Sequence, residues 1–493
     1  MNKTLRRLTT IVMVMFLALM VSTTWIQFVE AESLNNNGRN SRRLFREFNV
    51  HRGPILAGDV TLAESVPVDS AFGFQRVFSG GDATQANIFA PVTGFFSIAN
   101  GSSQLENTEN DWLSGQANAL WTERLEDLFT GQEVVGSSVE TTINPAVQQA
   151  AWDALDGQRG SIVAVEPATG RILAMVDFPS YDPNELAPLS LSQASQRFQE
   201  LAATEGNPML NQSIGQLWPP GSAFKMIPAA AALESGYVQN ADVLLPAPHR
   251  YLLPGTSTEV RNFGDAHCSP DGMQSIHDAM IISCNTLFME MSVDMGADVI
   301  AQQARRFGFD DPFRVPMRSA ISSFPNPSDL YPARLALAGI GQGDVTATPL
   351  QMAMVSAAIG NHGVLMQPYL VETIRNPDLD IVFQGQPHRL RQAVSESTAG
   401  VLRDMLVDAV SSPRATGRGA IISGVQVAGK TGTAESAPGR PPHAWFTAFA
   451  PADNPQVAVA VLIHEGGRQQ GGVTGGALAA PVARQVIQAV LNR

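Results

Sequence analysis

Ser222 and Lys225 stand three residues apart in the run Pro219-Pro220-Gly221-Ser222-Ala223-Phe224-Lys225. This run opens an alanine-rich stretch that reads as a helix to Glu234, stopped by Gly236. Positions i and i+3 share a helical face, so the Ser222 hydroxyl and the Lys225 amine can meet. A serine is a weak nucleophile until a neighbour takes its proton. A neutral lysine can take it, but an unperturbed lysine has a pKa of about 10.4. Bringing it near 7 costs about 4.6 kcal/mol. Desolvation and a nearby cation together can supply that. A helix N-terminus, with unpaired N–H groups and a positive dipole end, suits an anion and disfavours a second cation.

Lys430 is the obvious nearby cation. The chain has three lysines, Lys3, Lys225 and Lys430, and every other basic residue is arginine. Lys430 begins Lys430-Thr431-Gly432-Thr433-Ala434-Glu435 after a strand-like run from Val425. A glycine between hydroxyl residues on a strand lets a substrate backbone come close. Thr431 and Thr433 can hold a carboxylate there, with Lys430 adding charge. Between the two lysine motifs lies Ser283-Cys284-Asn285, on a stretch that reads as helical. Its serine can relay a proton and its asparagine can hold a substrate amide. Singly, each fragment recurs by chance, and an SxxK pair is ordinarily a solvated helix face. The three together, in this order and within one domain's length, describe one site built around an activated serine.

The elements that must position these residues read as an α+β domain. Residues 146–155 form a helical stretch after Thr141-Thr142-Ile143-Asn144-Pro145. Residues 160–166 and 171–176 read as two strands joined through Pro167-Ala168-Thr169-Gly170. A second strand pair, residues 443–450 and 456–463, flanks Pro451-Ala452-Asp453-Asn454-Pro455, and an amphipathic helix over 478–491 closes the chain. The pattern predicts an antiparallel sheet assembled from both ends of residues 139–493, lying between helices. Residues 30–138 read as a smaller, mostly-β module without chemistry of its own. It starts with a polar, arginine-rich stretch (residues 35–52) and has alternating runs such as residues 73–78. Pro228 falls inside the helix of Ser222 and should bend it.

Residues 11–29 carry no charge and span about 28 Å as a helix, one hydrocarbon core. Lys3, Arg6 and Arg7 precede them; Glu30 and Glu32 follow. The positive-inside rule puts residues 1–10 in the cytoplasm and the rest outside, anchored by a single transmembrane helix at the cell membrane, with Trp25 at an interface. The competing reading is a signal peptide cleaved near Val29-Glu30-Ala31, although the apolar run exceeds a usual signal core. That compartment permits disulfides. Cys268 and Cys284, the two cysteines, either close a loop worth about 3 kcal/mol or stay as buried thiols. A net charge of −13 without a basic stripe argues against nucleic acid as a partner. No His/Cys cluster has ligand spacing, so nothing implies a metal or an organic cofactor. His267, His362, His443 and His464 read as structural or surface residues, with His443 and Trp445 as candidates to border the cleft. The methionines of residues 273–295 read as core.

The three motifs are the signature of penicillin-binding proteins and class A β-lactamases. The whole chain resembles a class B penicillin-binding protein of the short actinobacterial type, a peptidoglycan D,D-transpeptidase. Arg52-Gly53-Pro54-Ile55 is similar to the pedestal motif of that family. Gly339-Ile340-Gly341-Gln342-Gly343, Thr348-Pro349-Leu350-Gln351, His443-Ala444-Trp445-Phe446 and Gly475-Gly476-Ala477 extend the resemblance over nearly the full length. It implies that Ser222 is the nucleophile, Lys225 the general base, Ser283 a proton shuttle and Lys430 an electrostatic tuner. It further implies that Asn285, Thr431, Gly432 and Thr433 bind substrate, and that the N–H groups of Ser222 and Thr433 form an oxyanion hole. Peptidoglycan stem peptides would be the substrate, β-lactam antibiotics covalent inhibitors, and a membrane-embedded glycan polymerase the partner. Ala223 and Trp218 stand where the family commonly has threonine and tyrosine; neither change removes a catalytic group.

Two rival readings remain. A hydrolase, either a D,D-carboxypeptidase or a β-lactamase, would share the acylation chemistry. A class A β-lactamase needs a glutamate to activate water; Glu372 and Asn376 have a suggestive spacing but follow a strand-like run and read as coincidence. A non-catalytic sensor or division scaffold is the other rival, and too few residues precede the apolar run for a signalling domain. Glu126-Asp127-Leu128-Phe129 has the outline of an acidic glycosyltransferase motif, but its module is too short for such a domain and the match reads as chance.

Overall fold

The structure is a computed structural model that describes residues 3–30, 47–120, 134–435, 439–466 and 474–492. Most of the arginine-rich stretch, the candidate cleavage site after Glu30 and the run Glu126–Phe129 lie outside the described residues. Helix α1 (Lys3–Thr24) continues through a π-helical turn at Trp25–Val29. No residue of it is buried. It is the one helix among the described residues long and apolar enough to cross a membrane.

Beyond it the chain forms strands β1 (Ile55–Ala57), β2 (Val60–Pro67) and β3 (Phe74–Phe78), then helix α2 (Ala83–Thr93). Asp82 caps α2 by accepting from the N–H groups of Thr84 and Gln85. Strand β4 (Ser138–Thr141) leads to α3 (Pro145–Leu155), capped by Asn144 with Pro145 in its first turn. The hairpin β5 (Gly160–Val165) and β6 (Ile172–Phe178) follows. Helices α4 (Met226–Glu234), α5 (Ile276–Ile282), α6 (Asn285–Met295) and α7 (Pro349–Gly360) fill the middle of the chain. Strands β7 (Val371–Arg375), β8 (Ile381–Gln384), β9 (Ala428–Ala434), β10 (His443–Ala450) and β11 (Val457–Ile463) come next, and α8 (Gly475–Leu491) closes the chain.

The expected sheet from both chain ends is present. Its order is β9-β10-β11-β5-β6, with every neighbouring pair antiparallel. Alternate residues serve opposite faces, as the pleat requires. Val163, Val165, Ala458, Ala460 and Leu462 join the core shared with α7. Ile162, Ala164, Val459, Val461 and Ile463 pack with α3 and α8. Each buried valine or isoleucine contributes about 1.5–3 kcal/mol, so the register that sets the position of β9 is strongly enforced. Strand β9 lies at the edge of this sheet, and the Ser222 segment packs against it.

The smaller module is not closed at residue 138. Its sheet runs β8-β7-β4-β1-β2-β3, so residues 371–384 complete a sheet begun at residue 55. An open edge on β1 would present unpaired backbone groups, and β4 covers it. The module also carries the helix α2, which a mostly-β reading leaves out. Its centre is ionic. Glu106 accepts from Arg52 (Nη2 at 2.8 Å) and Arg76 (Nε at 2.6 Å), with all three side chains buried. The Arg52 guanidinium also lies 4.2 Å from the centre of the Phe96 ring. Burial alone would raise the Glu106 carboxyl; the two guanidiniums outweigh it and hold the group below the ordinary carboxylate range.

Removing one member of such a network leaves uncompensated buried charge. Glu106→Ala is therefore expected to cost about 3–5 kcal/mol, read as a lowered urea midpoint for the full-length protein in detergent. An unchanged midpoint would mean that the network is not needed for stability.

Candidate active site

Gly221–Lys225 forms a 3-10 turn, and α4 begins only at Met226. An α-helix opening at Ser222 was the expectation. Pro228 offers no N–H to the carbonyl of Phe224, and the turn upstream of it tightens to 3-10. The proline thus acts in the first turn of α4 rather than as a kink in its interior. In a 3-10 turn residues i and i+3 eclipse, so Ser222 and Lys225 still share one face.

Two hydrogen bonds and two close backbone approaches fix this turn from outside. The Gly221 N–H donates to the Gly341 carbonyl at 2.9 Å. The Trp445 indole N–H donates to the Pro219 carbonyl at 3.0 Å. Gly221 has φ +54°, and a β-carbon there would stand 2.6 Å from the Thr433 carbonyl oxygen. A β-carbon on Gly432 would stand 2.7 Å from the Pro220 carbonyl oxygen. Gly432 therefore admits the Pro219–Ser222 segment itself, where the motif alone suggested room for a substrate backbone. Trp445 does border the site, from behind the Pro219–Pro220 turn.

The Ser283-Cys284-Asn285 motif spans the junction of two helices rather than lying within one. Ser283 ends α5 in the left-handed region, with φ +59°, and Asn285 starts α6. Two helices meet here, and the serine between them turns its carbonyl and hydroxyl toward the lysines. The structure joins Cys268 to Cys284 as a disulfide with Cα atoms 5.7 Å apart, which decides between the two readings of the cysteines.

Both lysines are fully buried. Lys225 Nζ donates to the Ser283 carbonyl at 2.8 Å and to Asn285 Oδ1 at 2.6 Å, and lies 3.4 Å from Ser283 Oγ. Lys430 Nζ lies 2.9 Å from Ser283 Oγ and donates to the Thr431 carbonyl at 3.0 Å. Ser283 Oγ thus bridges the two amines. Burial, then the neighbouring Lys430, holds Lys225 well below the ordinary lysine range. Burial brings Lys430 down to about 7. Both amines therefore hold a proton less firmly than an exposed lysine does.

Ser222 is half-buried, and its hydroxyl makes no hydrogen bond to Lys225 among the described residues. Catalytic contacts often tighten only when substrate is present. On β9, Thr431 Oγ1 lies 2.8 Å from Thr416 Oγ1, and Thr433 is half-buried. Every sequence-predicted site residue, from Ser222 to Thr433, thus lies in one cluster formed by the 3-10 turn, the α5–α6 junction and the edge strand. Glu372 lies elsewhere, on β7 of the other sheet, ion-paired with Arg171 at 3.3 Å.

Some residues around the site carry little sequence signal. Trp218 packs against His464 and His443, with ring centres 4.3 and 4.8 Å away. Burial lowers His443, and burial together with His443 lowers His464 to about 3, so both imidazoles are neutral supports. His464 Nε2 lies 2.9 Å from Gln212 Oε1. These histidines are structural, as their lack of partner spacing suggested. Of the methionines in residues 273–295, Met280, Met289 and Met291 are core, whereas Met273 is partly exposed.

Comparison with known proteins agrees with this geometry. Residues 160–488 match the penicillin binding protein transpeptidase domain, and residues 52–139 match the penicillin binding protein A dimerisation domain. The chain is 43% identical over 501 residues to the peptidoglycan D,D-transpeptidase PbpA of Mycolicibacterium smegmatis, covering 100% of this chain and 99% of that protein. The chain belongs to the class B penicillin-binding proteins. A ceftriaxone acyl-enzyme structure of penicillin-binding protein A from Mycobacterium tuberculosis superposes with a TM-score of 0.84 at 42% identity, covering 91% of this chain and 100% of that one. The penicillin G acyl-enzyme of the same protein gives 0.82 at 41% identity, covering 90% and 99%.

The buried lysines of this penicillin-binding protein tie its stability to pH. Their folded pKa values lie below the unfolded value, so the unfolded chain binds more protons between pH about 7 and about 10.4. Their contribution to stability must rise with pH across that window, by up to about 1.4 kcal/mol per pH unit for each lysine. Urea titrations across this range are expected to show a shallower rise for Lys430→Met than for the parent protein. Equal slopes would contradict the shifted pKa of Lys430.

Proposed function

We propose that this penicillin-binding protein is a peptidoglycan D,D-transpeptidase in which Ser222 is the nucleophile and Lys225 the general base. The observation that carries this is the bridge of Ser283 Oγ between Lys225 Nζ and Lys430 Nζ, at 3.4 and 2.9 Å. Neutral Lys225 takes the hydroxyl proton as Ser222 Oγ attacks the carbonyl between the two D-alanines of a stem peptide. The oxyanion is held by the N–H groups of Ser222 and Thr433, where one lost donor typically costs about 10²–10³-fold in rate. The C–N bond then breaks, and the proton passes through Ser283 to the departing D-alanine amine. Lys430 biases the shuttle and, with Thr431 and Thr433, holds the donor carboxylate. Asn285 orients the donor peptide. An amine from a second stem peptide attacks the acyl-enzyme, returns a proton through the same network and leaves a cross-link. A β-lactam acylates Ser222 by the same route.

The N-terminal region supports a single-pass arrangement. Residues 1–10 form a cytoplasmic tail and 11–29 the anchor, because Lys3, Arg6 and Arg7 precede the apolar helix. Residues 30–138, with strands of residues 371–384 completing their sheet, form the pedestal, and the remainder of 139–493 the transpeptidase domain outside the membrane, serving wall synthesis in division and cell shape. The pedestal's match to a dimerisation family supports an interaction role beside catalysis, with a membrane-embedded glycan polymerase as the partner.

Intact mass of the full-length protein with excess benzylpenicillin tests the chemistry. A stoichiometric adduct lasting many minutes is expected, and Ser222→Ala should abolish it. Lys225→Ala should slow its formation by about 10²–10⁴-fold. A fleeting adduct with rapid drug turnover would establish a hydrolase instead. No adduct on folded protein would leave the scaffold reading.

A further inference from the structure

The amide of Asn285 is the acceptor nearest to Lys225 Nζ, and its orientation is imposed from another part of the chain. A helix start leaves its first N–H groups without intrahelical acceptors. At α6 the N-cap is Cys284, whose side chain makes no capping hydrogen bond and is joined to Cys268. The missing acceptor comes from Asn262. Its Oδ1 accepts from the Asn285 N–H at 2.7 Å and from the Thr286 N–H at 3.2 Å. Its Nδ2 donates to the Ala266 carbonyl at 3.1 Å. Next to it, the Arg261 carbonyl accepts from Asn285 Nδ2 at 3.3 Å. Residues 261 and 262 therefore grip Asn285 at its backbone and at one side of its amide. The remaining amide atom, Oδ1, is the one left to face Lys225.

The consequence reaches the amine. A neutral lysine has two N–H bonds and one lone pair. With the Ser283 carbonyl and Asn285 Oδ1 accepting at 2.8 and 2.6 Å, both N–H bonds are committed. The lone pair is what remains to accept a hydroxyl proton, and Ser283 Oγ at 3.4 Å and the Ser222 hydroxyl are the hydroxyls that could supply it. Asn262 is itself buried, while its neighbour Phe263 is 71% exposed. The disulfide from Cys268 back to Cys284 keeps this loop on the turn it supports.

We infer that Asn262 is a positioning residue for acylation, which holds Asn285 so that the Lys225 lone pair is directed at Ser222. This rests on the reading of Lys225 as the base. Lys430 is the charged group facing Lys225 from β9. On the Asn262 loop, Asp265 is paired with Arg250, Arg261 and His249 at the surface.

The test is single-turnover acylation of the full-length protein in detergent by a fluorescent penicillin, at saturating and subsaturating drug. Asn262→Leu keeps the branched shape and the number of heavy atoms and removes the acceptor. It should lower the limiting acylation rate by about 10²-fold with little change in the half-saturating concentration. Asn262→Asp restores an acceptor for both N–H groups and should recover most of the rate at its own optimal pH. That optimum should lie higher than the parent's, because a carboxylate near Lys225 favours its protonated form. A wild-type limiting rate in Asn262→Leu would overturn the inference. So would a loss that Asn262→Asp fails to recover, whatever the melting temperatures of the two variants. Absence of an adduct in the parent protein would instead sink the catalytic reading itself.

Discussion

Two lysines buried side by side, with no carboxylate paired to either among the described residues, are the constraint on which the site depends. Desolvation disfavours the charged form of each, and proximity disfavours two charges at once. A protein gains nothing in stability from such an arrangement. What it gains is a pair of amines whose hold on a proton is weakened by burial, Lys225 further by Lys430 beside it. Ser283 Oγ, in contact with both, couples the two titrations into one network.

Holding that network requires rigid surroundings. The sheet supplies them through a central part whose two faces are covered by α7 on one side and by α3 and α8 on the other. Its edge strand carries Lys430, and glycines at 221, 341 and 432 let separate segments come into near backbone contact there. The left-handed Ser283 is the local cost, of the order of 1–2 kcal/mol, for turning a carbonyl and a hydroxyl into the same small space. The pedestal sheet is tied to the same body, because β7 and β8 of the later chain complete it. Movement of the pedestal would therefore be felt by the segment that follows α7.

The sequence alone determined the chemistry. Lysine scarcity made Lys225 and Lys430 conspicuous, their spacing to serines and threonines suggested an activated serine, and the resemblance carried by the three motifs implied the reaction type. Short, nearly continuous apolar runs over residues 160–166, 171–176, 443–450 and 456–463 placed the sheet, because strands buried on both faces need no alternation. The proline at 228 was visible as well, but its effect on helix type depended on where the α-helix began. The two cysteines left a bridge and free thiols equally open.

Only the tertiary structure decided the rest. The disulfide, the closure of the smaller module's sheet by residues 371–384 and the grip of Asn262 on Asn285 all join segments separated along the chain, and the left-handed turn at Ser283 is set between two helices that they hold. None has a local pattern, since an asparagine that caps a helix from elsewhere resembles any other asparagine in a loop. The sequence could name the groups able to carry a proton. Their pKa values depend on burial and on neighbours in space, and those are properties of the packed fold.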